Sequence, residues 1–437
     1  MPPTTPTQTS TQTSTQTSTR AYTRRATDLW HTPVPEGHPA APLLSAAAVR
    51  RHCAALMALI ERGESAHFTW RPEQLGATAD YVAETIHRQY PDLAVPYHSR
   101  WRHFEAGGVD RWGALAARAG LQDDALERAR VRIDLVIPSV LLDAGAGAAW
   151  RFDDAATGQM LARSEGLGVA SLSLFTQGAL SDRAGAPLRA DAAALARITP
   201  EVIAQAFQAA ANNPLVGLEG RAALLQRLGQ VAAATPAVFG SPARLGNLLD
   251  HLLARAVEGR LAADDVLATL LRALGPVWPG RVALRGVSLG DCWVHAAAPD
   301  GLVPFHKLTQ WLTYSLLEPL EDAGLQITGL DALTGLPEYR NGGLLLDLGL
   351  LVPRAHDFHT RPLQVNEAAV VEWRAATVIA LDRIADAVRE RLGLSATQFP
   401  LARVLEGGTW AAGRRIAAEL RPGGGPPVNI QSDGTVF

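Results

Sequence analysis

The sequence predicts one large, mainly α-helical domain that contains a few short β-hairpin strands. Long segments of helical periodicity follow one another from about residue 43 onward, and segments that alternate like strands are few and short. No linker-like stretch, βαβ alternation or internal repeat divides residues 43–437. With 437 residues, 47% of them hydrophobic, the chain can bury a sizeable core.

The first 40 residues have a different composition. The segment TQTSTQTSTQTSTR at 7–20 is a low-complexity tract of Ser, Thr and Gln, which cannot bury enough apolar area to fold. It also lacks the apolar run of a secretory signal and the apolar face of an organellar transit peptide. We therefore expect a disordered tail over residues 1–40 and a single helical domain over residues 41–437.

The elements of this domain follow from the periodicity and from the Gly and Pro residues between the periodic segments. Helices are expected at 43–62, 75–89, 114–142, 199–211, 219–234, 246–257, 262–274, 304–320 and 367–392. The segment 150–161 predicts a small hairpin around a polar turn, 281–293 alternates weakly, and 426–437 is an extended terminus.

The composition argues against several classes of function. A net charge of −3 and a pI near 6.5 give no electrostatic basis for binding nucleic acid or an anionic membrane. Cys53 and Cys292 lie far apart and match no metal or redox spacing, so the cytoplasm, a reducing compartment, is the expected location. No apolar run reaches the ~20 residues that a membrane span requires. No phosphate-binding glycine loop occurs, so a nucleotide cofactor is not expected, and the 12 histidines include no HExxH motif, so no metal is expected either.

One lysine stands out among the basic residues. The chain has 40 Lys and Arg residues in total, and Lys307 is the only lysine. A coding bias that replaces lysine by arginine wherever arginine is tolerated explains the abundance of Arg. The lysine that remains therefore marks a position that arginine cannot fill. Lysine carries a compact ammonium on a thin stem, whereas arginine carries a broad planar fork. We therefore expect Lys307 to have a specific role.

Lys307 lies in the apolar helical segment PFHKLTQWLTYSLLEPL. On a helical wheel four polar residues form one stripe, while leucines and Trp311 cover the other faces. The members of this stripe are Lys307, Gln310, Tyr314 and Glu318. A helix that is apolar on nearly all sides is buried, so the stripe is expected to line an internal cavity. The alternative is a single buried ion pair that fixes the helix.

Three acidic residues lie in positions that suit a site. Asp143 ends an apolar helix before a Gly-Ala-Gly turn, where it either presents a carboxylate at a cavity mouth or simply stops the helix. Glu338 and Arg340 follow a Pro suited to a first helical turn. The helix dipole by itself accounts for Glu338, but Arg340 beside an apolar run is harder to explain by structure alone. Glu105 lies in a Gly-Gly loop rich in His and Arg, which is either a functional loop or a structural corner.

The late helical segment 367–392 carries a cation on its buried side. With an advance of about 100° per residue, Arg374 falls close to the centre of the apolar stripe, and Glu372 projects from the opposite face, where it is expected in solvent. An inward guanidinium needs a carboxylate or a phosphate. Together with Lys307 it is suited to clamp a phosphate monoester. The alternative is an ion pair with a core carboxylate.

Several long strings in the chain have the character of family motifs. They are HSRWRHFEAGGVDRW, NNPLVGLEGRAALLQRLG, GPVWPGR, LGDCWVH, LVPFHKLTQWLTYSLLEPLE, LTGLPEYRNGGLLLDLG and GGTWAAGRRIAAE, with the terminal SDGTVF. These strings occur in the same order in the uracil-catabolism family, which the chain resembles over about residues 43–437. That family accompanies a ring-opening enzyme in a urea-releasing pyrimidine pathway, where ring opening of the nucleotide leaves a urea-like fragment on ribose phosphate. The resemblance implies a place in this pathway, with the ring-opening enzyme as a partner.

A second, more distant resemblance is to the queuosine-salvage nucleotide glycosylases. Their Tyr-Lys-Arg-Ala-Gln string matches HKLTQ at 306–310, their Asp-Tyr-Arg matches EYR at 338–340, and their Glu-Ile-Arg matches EWR at 372–374. They carry a carboxylate shortly after the first string, where this chain has Tyr314 and Ser315. These enzymes hydrolyse the N-glycosidic bond of a ribonucleoside 5′-phosphate in a mainly helical fold, and the resemblance implies the same fold and type of reaction here.

The residues and the resemblances together give a hypothesis, the metal-free hydrolysis of ribosylurea 5-phosphate to urea and ribose 5-phosphate. An oxocarbenium-like transition state requires a carboxylate, and urea must be protonated or hydrogen-bonded as it leaves. The candidate catalytic residues are Glu338, Asp143 and Tyr314, with Glu105 as a further carboxylate and Gln310 or a histidine as further partners of the leaving group. The candidate substrate- and phosphate-binding residues are Lys307, Arg374, Arg340, Gln310 and His306.

Two alternatives stay open. One is an amidohydrolase that cuts the ring-opened pyrimidine nucleotide, although the sequence shows neither its usual metal motif nor a nucleophile with a base. The other is a non-catalytic protein that binds the intermediate made by the ring-opening enzyme. A buried polar stripe with a single Lys favours a pocket over a flat interface, but a pocket alone does not establish turnover.

Overall fold

The computed structural model describes Val34 and residues 37–143, 145–278 and 282–431. The tail predicted at residues 1–40 therefore lies almost wholly outside the described residues, as does the end of the extended terminus. Within these ranges the chain is mainly α-helical, as predicted, with short strands in two-stranded pairs and no closed barrel.

The α-helices are numbered in chain order. They are α1 Ala46–Glu61, α2 Leu75–Gln89, α3 Trp101–Phe104, α4 Arg111–Arg118, α5 Ala125–Leu141, α6 Arg163–Thr176, α7 Ala192–Leu195, α8 Pro200–Ala206, α9 Leu218–Ala233, α10 Pro236–Phe239, α11 Leu248–Leu253, α12 Ala263–Ala273, α13 Lys307–Asp322, α14 Tyr339–Asp347, α15 Ala368–Leu392, α16 Leu401–Arg403 and α17 Ala411–Leu420. A π-helical segment, Val404–Trp410, joins α16 to α17.

The strands are short and are also numbered in chain order. They are β1 Phe68–Trp70, β2 Phe152–Asp154, β3 Gln159–Leu161, β4 Arg260–Ala262, β5 Ala283–Leu284, β6 Val287–Ser288, β7 Cys292–Val294, β8 Leu302–Pro304, β9 Gln326–Thr328, β10 Leu351–Pro353, β11 Pro362–Gln364 and β12 Asn429–Gln431. β1 pairs with β10, β2 with β3, β5 with β6 and β7 with β8 in antiparallel fashion. β4 pairs with β9 and β11 with β12 in parallel fashion. The hairpin predicted at 150–161 is thus confirmed as β2 and β3.

Most of the predicted helices are present within a few residues of their expected bounds, but the prediction of one helix over 114–142 is wrong. α4 ends just before Gly120, whose φ of 67° is left-handed. Asp124 then caps the start of α5, since its carboxylate accepts from Glu127 N at 2.9 Å. The periodicity also fails to predict α6 and α17. Each contains a glycine against which another chain segment packs closely, so tertiary packing rather than periodicity fixes them.

The helices α13 and α15 form the centre of the fold. α15 packs against α1, α2 and α14, and α13 packs against α5 and α12. Both are buried on most of their faces, within a hydrophobic core cluster that extends from Ala40 to Val428. Charged side chains on these two helices therefore lie inside the protein. Cys53 and Cys292 are free, buried thiols. Among the helices of the described ranges, none has both the length and the apolarity to cross a membrane.

The packing of α14 on α15 depends on Gly342. A Cβ at this position would lie 2.6 Å from Trp373 Cζ2, and Trp373 Nε1 already donates to Gly342 O at 3.0 Å. We expect Gly342→Ala to lower the free energy of unfolding by about 1–3 kcal/mol, measured by guanidinium chloride denaturation. Gly220→Ala is the matched control, because a Cβ there meets nothing within 4 Å and α9 gains a better helix former. Equal losses in both variants would contradict this account of the packing.

Candidate functional site

The position of Lys307 is set by the turn that precedes α13. Strands β7 and β8 bring Asp291 beside the start of the helix, where its carboxylate accepts from Lys307 N at 3.0 Å. The carbonyl of Asp291 accepts from Phe305 N at 2.9 Å and from His306 N at 3.2 Å. His306 has a φ of 49°, a left-handed conformation that is uncommon for a residue other than Gly. These contacts fix Lys307 as the first residue of α13.

Asp291 also binds the guanidinium of Arg374. The two terminal nitrogens donate to the two carboxylate oxygens, both at 2.8 Å, and the guanidinium carbon lies 4.0 Å from the centroid of the Phe305 ring. Burial by itself would raise the pKa of Asp291, but Arg374 holds that pKa well below its usual range. The structure thus gives Arg374 a core carboxylate, one of the two partners expected from the sequence. The phosphate clamp with Lys307 would require Arg374 to leave this ion pair.

The side chain of Lys307 has a different environment. It is mostly buried, and among the described residues no side-chain hydrogen bond or ion pair holds its ammonium. Burial lowers the pKa of Lys307, while the negative charges of Glu338 and Asp143 oppose that shift. The ammonium therefore lies within the field of two carboxylates without pairing with either. A cation in this setting is available to a further anion.

Glu338 is the N-cap of α14. Its two carboxylate oxygens accept from Arg340 N at 2.7 Å and from Asn341 N at 2.6 Å. Burial raises the pKa of Glu338 above its ordinary value, although Lys307 and these backbone donors act in the opposite direction. A carboxyl group with a raised pKa keeps its proton at a higher pH than an exposed one, which is a property of general acids.

Asp143 follows the C-terminus of α5. Its Oδ1 accepts from Arg100 Nη1 at 2.7 Å, and its Oδ2 accepts from Ser164 Oγ at 3.2 Å. Arg100 is fully buried and also donates from Nε to Ser139 Oγ at 2.7 Å. Asp143 is therefore held by a cation and a hydroxyl, whereas Glu338 is desolvated at a helix start. Two carboxyl groups in such unlike environments are typical of acid and base pairs in catalysis.

Arg340 and Tyr339 border the two carboxylates from the first turn of α14. Arg340 Nη1 donates to Gly424 O at 2.9 Å, and its guanidinium carbon lies 5.0 Å from the centroid of the Tyr339 ring. Burial raises the pKa of Tyr339, and the charges of Arg340, Glu338 and Asp143 also act on its hydroxyl. The candidate site consists of Lys307, Asp143, Glu338, Tyr339 and Arg340.

Gln310 and Tyr314 have structural partners outside the candidate site. Gln310 Nε2 donates to Thr334 Oγ1 at 2.5 Å, and Gln310 Oε1 accepts from Thr334 N at 2.8 Å. Tyr314 is fully buried, and its hydroxyl donates to Thr334 O at 3.0 Å. Both side chains therefore hold the loop before α14. The polar stripe expected to line one cavity is instead divided among separate partners.

His306 and Glu105 also lie apart from the two carboxylates. The His306 Nε2 atom is hydrogen-bonded to Leu43 O at 2.9 Å, and burial lowers the pKa of this histidine. Glu105 is half exposed, forms an ion pair with Arg102 at 3.1 Å and has a pKa raised by partial burial. Among their described contacts, neither side chain reaches the candidate site.

A second polar cluster adjoins Asp143. Arg100 and His103 come from the Gly-Gly loop that the sequence left open as a functional loop or a structural corner, whereas Trp311 was assigned to an apolar face. The ring of His103 lies edge-on to the ring of Trp311, with centroids 5.7 Å apart. The guanidinium carbon of Arg100 also lies 5.7 Å from the centroid of the Trp311 ring. Burial and the charge of Arg100 lower the pKa of His103 to about 4. A signal was present in the sequence, because Trp311 follows Lys307 by four residues and is therefore its neighbour on the helix surface, although Trp311 was grouped with the apolar faces.

The chemistry of the candidate site is that of acids and cations. Its two carboxyl groups can move protons, and its Lys and Arg side chains can bind an anion such as a phosphate. Within the described ranges, no group of His, Cys, Asp and Glu side chains has an arrangement that could hold a metal ion.

Comparison with known proteins identifies relatives over nearly the whole domain. The chain is 38% identical over 404 residues to Protein urg3 of Schizosaccharomyces pombe. The aligned region covers 91% of this chain and 98% of that protein. It is 38% identical over 411 residues to Uracil catabolism protein 4 of Lachancea kluyveri, which covers 86% of this chain and 93% of that protein. Residues 42–437 match the family described as "Protein of unknown function (DUF1688)". The chain therefore belongs to the DUF1688 family.

Proposed function

We propose that this protein hydrolyses the N-glycosidic bond of ribosylurea 5-phosphate and so releases urea and ribose 5-phosphate. A role in uracil catabolism is supported by the Lachancea kluyveri relative, a named uracil catabolism protein that is 38% identical to this chain. One observation carries the reaction itself. The mostly buried ammonium of Lys307 lies in the field of two carboxyl groups, one desolvated and one bound by an arginine.

The two carboxyl groups divide the proton transfers between them. Asp143 takes a proton from the attacking water as the water oxygen bonds to C1′ of the ribose. The bond from C1′ to nitrogen breaks, its electron pair stays on the departing urea nitrogen, and Glu338 supplies that nitrogen with a proton. One carboxyl group gains the proton that the other loses, so the step balances. The raised pKa of Glu338 supports its role as the acid, and the contacts with Arg100 and Ser164 hold Asp143 in place for its role as the base.

The phosphate is the part of the substrate that the cations bind. Lys307 has no ion-pair partner among the described residues, and Arg340 borders the same carboxylates from α14. Arg374 does not bind the phosphate in this proposal. It binds Asp291 and thereby fixes the turn that positions Lys307. Binding energy from a phosphate distant from the breaking bond serves to orient the sugar for reaction.

The direct test uses purified full-length protein and ribosylurea 5-phosphate. We expect urea and ribose 5-phosphate to appear in equal amounts, measured by a coupled urea assay and by mass spectrometry. The dephosphorylated ribosylurea should react much more slowly, because it lacks the group that Lys307 binds. Cleavage of the ring-opened nucleotide with ribosylurea phosphate left intact would instead favour an amidohydrolase. Tight binding of the intermediate without turnover would favour a non-catalytic binding protein.

The role of Lys307 can be tested by replacing it with arginine, the residue found at every other Lys or Arg position of the chain. Lys307→Arg keeps the charge but replaces a compact ammonium with a broad fork. We expect urea release to fall at least about tenfold, since a hydrogen bond to a charged group contributes about 1.5–3 kcal/mol. The circular dichroism spectrum should be unchanged. The loss should be greater for the phosphorylated substrate than for its dephosphorylated analogue, and an Arg variant as active as the parent would contradict the proposed role.

The role of Glu338 predicts a pH dependence. An acid must be protonated to act, and burial raises the pKa of Glu338, so the alkaline limb of the kcat/KM profile should be a fall as the pH rises through that pKa. Glu338→Gln keeps an oxygen for the helix cap but cannot donate a carboxyl proton, so kcat should fall about 10²–10⁴-fold and this alkaline limb should disappear. Asp124→Asn, at the exposed cap of α5, is the matched control and should alter stability alone. An unchanged pH profile in Glu338→Gln would refute this assignment.

A further inference from the structure

Three buried polar atoms beside Asp143 have no hydrogen-bond partner within the part of the chain that the structure describes. They are Arg100 Nη2, His103 Nδ1 and Trp311 Nε1. Buried polar groups in proteins are nearly always hydrogen-bonded, and each exception calls for an explanation such as a ligand or a bound water. Two of the atoms can donate, and a histidine nitrogen can accept, so the group as a whole is complementary to a molecule that carries both kinds of polar atom.

These three side chains lie in one place. His103 and Trp311 meet edge to face at a centroid distance of 5.7 Å, and the Arg100 guanidinium is 5.7 Å from the Trp311 centroid. The backbone N–H of Arg100 donates to Ser315 Oγ at 2.9 Å, so this part of α13 packs directly on the loop that carries Arg100. The same guanidinium binds Asp143 at 2.7 Å, which places the three unpaired atoms next to a carboxylate of the candidate site.

We propose that Arg100, His103 and Trp311 form the subsite that holds the urea group of the substrate, an inference that rests on the proposed function. Trp311 Nε1 and Arg100 Nη2 donate to the urea carbonyl oxygen. His103 Nδ1 accepts from a urea amino group, in the tautomer that carries the ring proton on Nε2. The ring of His103 contacts those of Trp311 and Trp410, with centroids 5.7 and 6.3 Å away, and these rings form the wall against which the flat urea group lies.

The charges around this subsite fit a neutral group. Asp143, Glu165 and Glu406 all act on His103 with negative charge. Burial and Arg100 lower the pKa of His103 to about 4, so the ring is neutral at physiological pH and keeps an acceptor nitrogen. The Arg100 guanidinium is already paired with Asp143, so this subsite offers a phosphate dianion less positive charge than the ammonium of Lys307, which the described residues leave without an ion pair. The substrate is therefore oriented with its urea group toward Trp311 and its phosphate toward Lys307, one helical turn apart on α13.

The subsite is tested first by Trp311→Phe in the full-length protein. This change removes the indole N–H and leaves an aromatic ring in the wall. We expect kcat/KM for urea release to fall about tenfold, the effect of one hydrogen bond, while the Kd for ribose 5-phosphate changes less than about twofold. Trp101→Phe is the matched control, because Trp101 Nε1 already donates to Ser315 O at 2.8 Å. That variant should lose thermal stability and keep its kcat/KM.

His103 provides a second, independent comparison. His103→Leu removes the acceptor, whereas His103→Asn places an amide oxygen at the same distance from the backbone as Nδ1. We expect Asn to retain clearly more activity than Leu, with ribose 5-phosphate binding equal in both. Unchanged turnover in Trp311→Phe, or equal loss of turnover and of ribose 5-phosphate binding, would overturn the subsite. A parent protein that releases no urea would overturn the proposed function and the subsite with it, and this result is distinct from an active parent with unaffected variants.

Discussion

The ion pair between Asp291 and Arg374 is the interaction on which the candidate site depends. It joins the turn before α13 to α15, the two helices at the centre of the fold, and the same carboxylate receives the backbone N–H of Lys307. A buried pair of this kind adds little net stability, but loss of one partner typically costs about 3–5 kcal/mol because the other charge is left buried alone. Its effect here is geometric. It fixes where the first residue of α13 lies, and so where the ammonium can reach.

The pairing of buried charges explains why Lys307 differs from its neighbours. Arg374 is matched with Asp291, and Arg100 is matched with Asp143, each at 2.7–2.8 Å. Lys307 has no such match among the described residues, although burial disfavours its charged form. A buried cation without a partner lowers stability, and proteins keep such groups mainly where a ligand or a reaction uses them. The lone lysine of an arginine-rich chain is thus a mostly buried cation for which the described residues supply no ion pair.

The sequence predicted the fold class and most of the helices, because both follow from local periodicity and residue chemistry. The importance of Lys307 stays a prediction. The sequence did not predict which face of a buried helix meets which partner. Glu372 was expected in solvent from its position opposite the apolar stripe of α15. That expectation is wrong, since Glu372 is buried and accepts from Ser65 Oγ at 2.5 Å, with His295 Nε2 at 3.2 Å. α15 is covered by α1, α2 and α14, so at Glu372 the face that looks polar in sequence is also buried in the fold.

The same limit explains what the sequence missed at the candidate site. Trp311 was assigned to an apolar face because its side chain is large and mostly hydrocarbon, yet its N–H, beside His103 and Arg100, has no hydrogen-bond partner within the described ranges. Periodicity treats each residue as apolar or polar, whereas Trp is both. The error for Gln310 and Tyr314 is the opposite one, because polar residues predicted to line a cavity have structural partners instead. These two polar residues are on an inward face, but Thr334 binds both of them, a contact between positions 20 and 24 residues apart that no local pattern encodes.

The arrangement of charges also bears on whether the protein catalyses a reaction or only binds an intermediate. A site built only to bind a phosphorylated sugar would gain affinity from cations and lose it from carboxylates, because like charges repel a dianion. Here Glu338 and Asp143 both lie close enough to act on the ammonium of Lys307. Their presence weakens ground-state binding of the phosphate. The negative charge of the two carboxylates becomes favourable when positive charge develops on the sugar ring, since the carboxylates then stabilise the transition state more than the substrate. Carboxylates that oppose phosphate binding and favour bond cleavage therefore support the proposed hydrolase over the alternative of a non-catalytic binding protein.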